Sequence, residues 1–457
     1  MGQLRSFARA GRDWLDDIAN SSPARLALLV FLGIVLLETA LLSLPIATAS
    51  GQRAPLADAM FNATSAICVT GLVTVDTAVY WSTFGHAVIM VGAAIGGLGV
   101  MTLASILGFA VSRRIGLTQR LLTARETKTD RLGEVGSLIR AVIVVALSAQ
   151  TALMLILFPR FLTMGETAGK ALWHASFMSV SIFNNAGFVI LPEGLEPHMG
   201  DWWIGLPIFF GTAIGAIGFP VLLNVRQHLF HPRQWSLHAK LTVVTYVYLS
   251  AFAFLVIPAM EWTNPETFGS MNTSEKILNA LIYSVNARSS GIETVPVGQM
   301  RESTWLFQDA LMFVGGGTAS TGGGIKVTTF AVLVLAIAAE ARGDRDIEAF
   351  RRRIPAEVVR LSVAVAFIGA TFVGAAVLTL LSITNLHLDT VLFEVISAFG
   401  TVGLSTGISG HLPDAGKYVL TAMMFIGRVG TMTLAAALAM RSRRRMIRMP
   451  EERPAVG

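Results

Sequence analysis

The chain has 457 residues, of which 53% are hydrophobic and only 14% charged, with a formal net charge of +6. An average soluble domain carries roughly 25% charged residues, so the composition excludes the soluble globular classes and predicts an all-α, multi-span membrane protein. A single cysteine, Cys68, excludes an internal disulfide.

In chain order, the polar stretch 1–25, with Arg5, Arg9 and Arg12, reads as a cytosolic segment and not as a cleavable signal peptide. Apolar runs then predict spans at about 26–47, 84–110, 140–158, 203–224, 237–260, 304–339, 358–383 and 417–440. Of the 35 Lys and Arg residues, 26 fall in five segments, 1–25, 111–141, 225–240, 340–360 and 441–457. Six, namely Arg53, Arg160, Lys170, Lys276, Arg301 and Lys417, fall on the opposite side, and Arg288, Lys326 and Arg428 lie at membrane depth. The positive-inside rule therefore puts both termini in the cytoplasm. It also accounts for the basic balance without nucleic acid as a partner.

Between successive spans lie four short apolar segments, each ending in a small-residue loop around one glycine. The loops contain Val69, Thr70 and Gly71; Asn185, Ala186 and Gly187; Ser289, Ser290 and Gly291; and Thr401, Val402 and Gly403. The glycines stand 116, 104 and 112 residues apart. Ten residues before them are Phe61, Phe177, Leu281 and Phe393; six before are Ser65, Ser181, Val285 and Ser397. A segment such as 57–68 is roughly 18 Å long as helix, short of the roughly 30 Å hydrocarbon core. It must enter, stop midway and return as loop, which is tolerated only inside protein or along a watery cavity.

The unit is span, half-span, glycine loop, span. Four units in the same orientation predict a K⁺-channel-like, pseudo-fourfold arrangement of eight spans and four re-entrant helices. The repeats divide as 26–112, 113–226, 227–342 and 343–440, followed by a basic cytosolic tail, 441–457. Parallel repeats fit a fourfold ring better than the inverted repeats of many carriers. Backbone carbonyls from such loops can replace the hydration shell of a monovalent cation, and half-helix C-termini favour positive charge. Glycines that serve only close packing are the competing reading.

The second spans match as well, with Gly96-Gly97 aligned on Gly427-Arg428 and on Gly215-Ala216. The third unit breaks this pattern. Gly315, Gly316, Gly317, Thr318, Ser320, Thr321, Gly322, Gly323 and Gly324, followed by Lys326, cannot hold a stable helix. The 36-residue segment 304–339 is therefore predicted to be a helix broken by an internal loop, whose hydroxyls and free carbonyls could occlude the path or move aside. Arg428 replaces a small residue of the other units, so it is expected in the path below the loops, opposing cations; a packing arginine bound to carbonyls is the alternative. Arg288 is expected to brace its half-helix. Glu38 is a buried carboxylate with no partner evident in sequence. Asp58, Asp389 and Glu394 read as charges near half-helix N-termini, and Cys68 as a packing residue. The eight histidines are scattered, and no hydrolase triad, zinc-protease or dinucleotide motif stands in a suitable context, so no enzymatic activity or organic cofactor is expected.

With these motifs the chain resembles the Trk/Ktr/HKT superfamily of potassium transporters, and within it the KtrB type of membrane subunit. The resemblance is carried by 65–72, 184–188, 288–291, 401–404, 315–326 and Gly427-Arg428. It implies K⁺ as the transported ion at the carbonyls of the four loops, gating by 315–326 with Arg428, and Na⁺ as an activator. It further implies a homodimer in the plasma (inner) membrane, embedded in lipid and docked on a cytosolic, KtrA-type ring that binds nucleotide. One glycine per loop stacks few carbonyl rings, so a weakly selective Na⁺/K⁺ channel stands as the alternative. A sensor that passes no ion is a third reading.

Overall fold

The computed structural model describes residues 23–99 and 135–430. Its helices, in order, are α1 (Pro23–Leu42), α2 (Leu56–Cys68), α3 (Thr77–Tyr80), α4 (Thr83–Gly97), α5 (Val135–Thr163), α6 (Ala168–Asn184), α7 (Trp202–Ile217) and α8 (Phe219–Gln227). They continue with α9 (Leu237–Glu261), α10 (Thr273–Asn286), α11 (Glu302–Phe313) and α12 (Val327–Arg342). A small antiparallel hairpin follows, β1 (Ile347–Ala349) and β2 (Arg352–Ile354), with Glu348 opposite Arg353. The last described helices are α13 (Ala356–Ile383), α14 (Leu388–Gly400) and α15 (Asp414–Phe425), which runs into a π-helical turn, Ile426–Gly430.

Among the described residues, three helices are long and apolar enough to cross a membrane: Arg140–Thr163, Leu237–Glu261 and Ala356–Ile383. Their outer faces leave Leu147, Leu155, Val247, Leu255, Phe367 and Leu378 exposed. Such continuous apolar surface suits lipid and not water. The predicted spans 84–110 and 417–440 run in part outside the described residues. The predicted span 304–339 is interrupted as expected, by the loop between α11 and α12.

The span expected at 203–224 is not a single helix. It turns by 95° between α7 and α8. Gly218 sits at φ 99° with Pro220 just beyond, and a Cβ at Gly218 would lie 2.6 Å from Thr318 O. The combination of φ 99° with ψ 142° at Gly218 is one that essentially only glycine adopts, and proline favours a fresh helix start. The broken third unit thus forces a second break, in α7–α8, to make room for its loop.

The four short apolar segments form the helices α2, α6, α10 and α14, of 13, 17, 14 and 13 residues. Each packs on its own flanking span and on the second span of the preceding unit: α2 on α1 and α15, α6 on α5 and α4, α10 on α9 and α7, α14 on α13 and α11. Small residues in the second spans allow this closeness. A Cβ at Gly96, Gly215 or Gly427 would collide with the carbonyl of Ile67, Phe183 or Phe399, each four residues before a loop glycine. In the third unit the aligned Gly315 packs instead against Gly323 O within the interrupted loop.

Two charges read from sequence as N-terminal capping groups do something else. Asp58 caps no helix; its Oδ1 takes a hydrogen bond from Lys417 Nζ at 2.6 Å. Glu394 lies in the second turn of α14 and accepts from Ser405 Oγ (2.7 Å), Ser409 Oγ and Thr406 N (3.2 Å). In both cases charge-assisted hydrogen bonds from specific donors, across the fold for Asp58 and within the same unit for Glu394, take the place of the helix-end role.

Candidate functional site

Three of the half-helices end alike. Val69, Asn185 and Thr401 take left-handed φ angles of 56°, 59° and 47°. Their N–H groups, and those of the next residues, return to the last-turn carbonyls. This closes the helix and releases the following backbone as an extended loop. The third half-helix departs: Ala287 remains right-handed and Ser290 adopts φ 107°.

The loop glycines meet one another in sequence order. A Cβ on Gly71 would lie 2.8 Å from Ala186 O, and one on Gly187 would lie 2.5 Å from Ser290 O. Gly291 stands still closer to Val402 O, and Gly403 to Thr70 O. Each glycine therefore faces the carbonyl that precedes the glycine of the next loop, and the fourth returns to the first. Ser65 Oγ accepts from Gly71 N (3.0 Å) and Ser397 Oγ accepts from Gly403 N (3.1 Å). Ser181 Oγ instead donates to Phe188 O (2.7 Å), and Asn286 Nδ2 donates to Ile292 O (2.6 Å). The serines six residues before the glycine thus fix the loops, a role that their register hinted at without specifying. The side-chain hydroxyls of Thr70 and Thr401 are buried and have no hydrogen-bond partner among the described residues.

The segment 315–326 runs directly against these loops. A Cβ on Gly322 would lie 2.9 Å from Ser289 Oγ, and one on Gly323 would collide with Thr401 Oγ1. The Asn185 amide oxygen accepts from Ser289 Oγ (2.9 Å) and from Thr321 Oγ1 (3.1 Å), joining the second loop, the third loop and this segment. The segment is tied to itself by Gly315 N to Ile325 O (2.8 Å) and Val327 N to Gly316 O (3.1 Å). It is tied to the α7–α8 break by Gly317 N to Ala216 O (2.7 Å) and Phe219 N to Ala319 O (3.3 Å). Thr318 Oγ1 meets Thr328 Oγ1 at 3.2 Å, and Gly322 N donates to Ser320 Oγ at 3.2 Å. Gly324 N donates to Gly427 O (3.3 Å), and Lys326 Nζ to Gly322 O (2.6 Å).

Arg428 is buried and reaches both sides of this assembly. Its Nη1 donates to Thr321 O and its Nη2 to Gly96 O at 2.6 Å. One guanidinium thus connects the interrupted loop with the second span of the first unit. The carbonyl-bound arrangement weighed from sequence is what the side chain makes, and its partners sit beneath the glycine loops.

Arg288 is fully buried. Its guanidinium lies 3.8 Å from the centre of the Tyr246 ring, and Nη2 donates to Ser250 Oγ. The brace expected from sequence is therefore a cation–π stack on α9, with Nη2 also 3.5 Å from Ser284 O of its own half-helix. Glu38 packs its carboxylate against Gly92 of α4. Cys68 is a buried free thiol in the apolar core.

Sequence reasoning missed the outer rim of the loops. Two residues beyond Gly291, Glu293 Oε1 accepts from Ser405 N at 2.9 Å, bridging the third and fourth loops. An acidic residue where the other loops carry Val73, Val189 and Ser405 was the available signal.

The chain matches the TrkH cation transport protein family over residues 30–446. It is 36% identical over 434 residues to the Ktr system potassium uptake protein B of Bacillus subtilis, covering 94% of this chain and 95% of that one. It is 30% identical to the potassium/sodium uptake protein NtpJ of Enterococcus hirae, covering 93% and 94%. Its fold matches the crystal structure of the potassium transporter TrkH from Vibrio parahaemolyticus with a TM-score of 0.69 at 20% identity, over 89% of this chain and 84% of that one. A helical membrane protein whose four glycine loops close head to tail, the chain belongs to the TrkH cation transport protein family, a family of ion transporters and not of enzymes.

Proposed function

We propose that this protein takes up K⁺ across the plasma membrane through a path lined by its four glycine loops, with eight spans and four re-entrant helices in pseudo-fourfold order and both termini in the cytoplasm. The observation that carries the reading is the closed succession of glycine-to-carbonyl approaches from Gly71 through Gly187 and Gly291 to Gly403. A ring of backbone carbonyls can replace an ion's hydration shell. Val69, Thr70, Gly71, Asn185, Ala186, Gly187, Ser289, Ser290, Gly291, Thr401, Val402 and Gly403 form this selectivity filter in the proposal. The Thr70 and Thr401 hydroxyls, buried and without a hydrogen-bond partner among the described residues, support a polar ligand there.

The segment 315–326 and Arg428 act as the gate in this reading. The segment packs against three of the four loops, and Arg428 adds a fixed positive charge anchored on the first unit. Opening requires the carbonyl bonds of Arg428 and the bond from Gly317 N to Ala216 O to be exchanged. The membrane potential drives entry, since one inward charge gains roughly 2.3 kcal/mol per 100 mV.

A homodimer, stimulation by Na⁺ and regulation by a separate nucleotide-binding ring of KtrA type complete the proposal, on the strength of the family and of the potassium-uptake relative. The test is uptake by purified protein in vesicles, with K⁺ and Na⁺ compared. K⁺-dependent flux is expected, and Gly291→Ser is expected to weaken the preference for K⁺. Absence of flux from well-folded wild-type protein sinks the reading. A second reading, a weakly selective Na⁺/K⁺ channel, draws support from the irregular third loop, with Ser290 at φ 107°, and from the relative named for both ions. Equal K⁺ and Na⁺ affinities would favour it.

A further inference from the structure

The outward strand after the fourth glycine is held by two carboxylates that come from different repeats. Glu394, on the half-helix of the same unit, uses both oxygens. Oε1 accepts from Ser405 Oγ (2.7 Å) and Ser409 Oγ, and Oε2 accepts from Thr406 N (3.2 Å). Glu293, on the outward strand of the third unit, uses Oε1 alone, for Ser405 N at 2.9 Å. Glu394 is fully buried and Glu293 is half-buried. No other pair of outward strands among the described residues shows such a direct link. The first unit has only the local counterpart, Asn62 Nδ2 to Thr74 Oγ1 at 3.0 Å, at the position equivalent to Glu394 and Thr406.

The third loop needs this help. It lacks the left-handed cap that fixes the other three, and its half-helix has Val285 where two of the others use serine to hold the glycine N–H. Gly291 nevertheless makes one of the tightest approaches of the ring, to Val402 O and Gly403. The register of the third loop on the fourth must come from elsewhere, and the Glu293 strap lies two residues above both glycines.

We propose that Glu293 and Glu394 are positioning residues for cation selection, acting as hydrogen-bond acceptors that lock the outward strand of the fourth loop to the third and thereby set the Gly291–Gly403 approach. This deepens the reading of the loops as a selectivity filter and rests on it. The two carboxylates differ in what a conservative change can preserve. Glutamine keeps one acceptor oxygen, which is all that Glu293 uses; at Glu394 its N–H₂ must face either Thr406 N, an obligate donor, or the hydroxyls of Ser405 and Ser409, which must then turn from donating to accepting.

The test is apparent KM and maximal rate for K⁺ and Na⁺ uptake into vesicles, on full-length protein checked for monodispersity. Glu293→Gln is expected to keep the K⁺ preference within about twofold of wild type, while Glu293→Ala lowers it about fivefold, the effect of one hydrogen bond. Glu394→Gln is expected to lower it by about fivefold or more despite its conservative size, with the change in KM and not in maximal rate. Should Glu394→Gln not fold, Ser405→Ala removes one donor to Glu394 and is expected to lower the preference in the same sense. Equal defects in Glu293→Gln and Glu293→Ala would mean that charge matters and the strap does not. Wild-type selectivity in Glu394→Gln, or in Ser405→Ala if that variant replaces it, overturns the proposal as well. A wild-type protein that passes no K⁺ fails the filter reading itself, a result distinct from any of these.

Discussion

Lys417 donates to Asp58 across 2.6 Å, although 359 residues separate them. Lys417 stands in the first turn of α15, the last described α-helix, and Asp58 in the first turn of α2. Both side chains are largely buried, at 11% exposure each. This contact and the Gly403 to Thr70 approach are where the end of the chain closes on its beginning.

A buried ion pair adds little over apolar packing but is costly to break by halves. Lys417→Met alone leaves the Asp58 carboxylate uncompensated and should destabilise the protein by about 3 kcal/mol. Lys417→Met combined with Asp58→Leu should recover most of the loss. Thermal unfolding of the detergent-solubilised protein checks both, and a double variant no better than the single one would contradict a direct pairing.

The loop glycines should be intolerant for a steric reason. Gly403→Ala adds a Cβ into Thr70 O at a residue with φ 96°. Uptake should fall by at least about tenfold, because a shift on the order of 1 Å at a positioned site has that consequence. Gly374, on α13, has nothing within 4 Å. Gly374→Ala should be neutral or stabilise by up to about 1 kcal/mol, since alanine is the better helix former. Uptake and unfolding measured on both variants separate site from scaffold.

Arg428→Ala should raise K⁺ flux. It deletes the bonds to Thr321 O and Gly96 O and removes the positive charge beneath the loops. Vesicle uptake at fixed membrane potential reads the result; lower flux with intact folding would assign Arg428 a purely structural part.

The Arg288–Tyr246 stack predicts a specific order of variants. Tyr246→Phe keeps the ring and drops only a hydroxyl that has no partner among the described residues, so stability should hold or rise slightly. Tyr246→Leu removes the π-face and should cost about 1–2 kcal/mol. Unfolding midpoints that fail to separate Phe from Leu would argue against the stack as the brace.

Much of the architecture was legible because its signals are local. The half-span expected at 57–68 appears as Leu56–Cys68, and the glycine-dense stretch 315–324 interrupts its helix, because segment length and glycine content act within a few residues. The bend at Gly218 was not legible. Its Gly-Phe-Pro run is compatible with a continuing membrane helix, and the 95° turn answers a loop about 100 residues further on. Asp58 and Glu394 misled for a related reason: a carboxylate near a helix start looks like a cap until the competing donor is known.

By itself, then, the sequence determined the class of protein, the places where helices stop short, and the small-residue loops at which they stop. Only the tertiary structure decided which groups meet: Glu293 with Ser405, Arg428 with Thr321 and Gly96, Lys417 with Asp58, and each loop glycine with the carbonyl of the next. Hydropathy and backbone preference are properties of neighbouring residues. Partnerships across a hundred residues or more depend on how whole helices pack, and no local pattern encodes that choice.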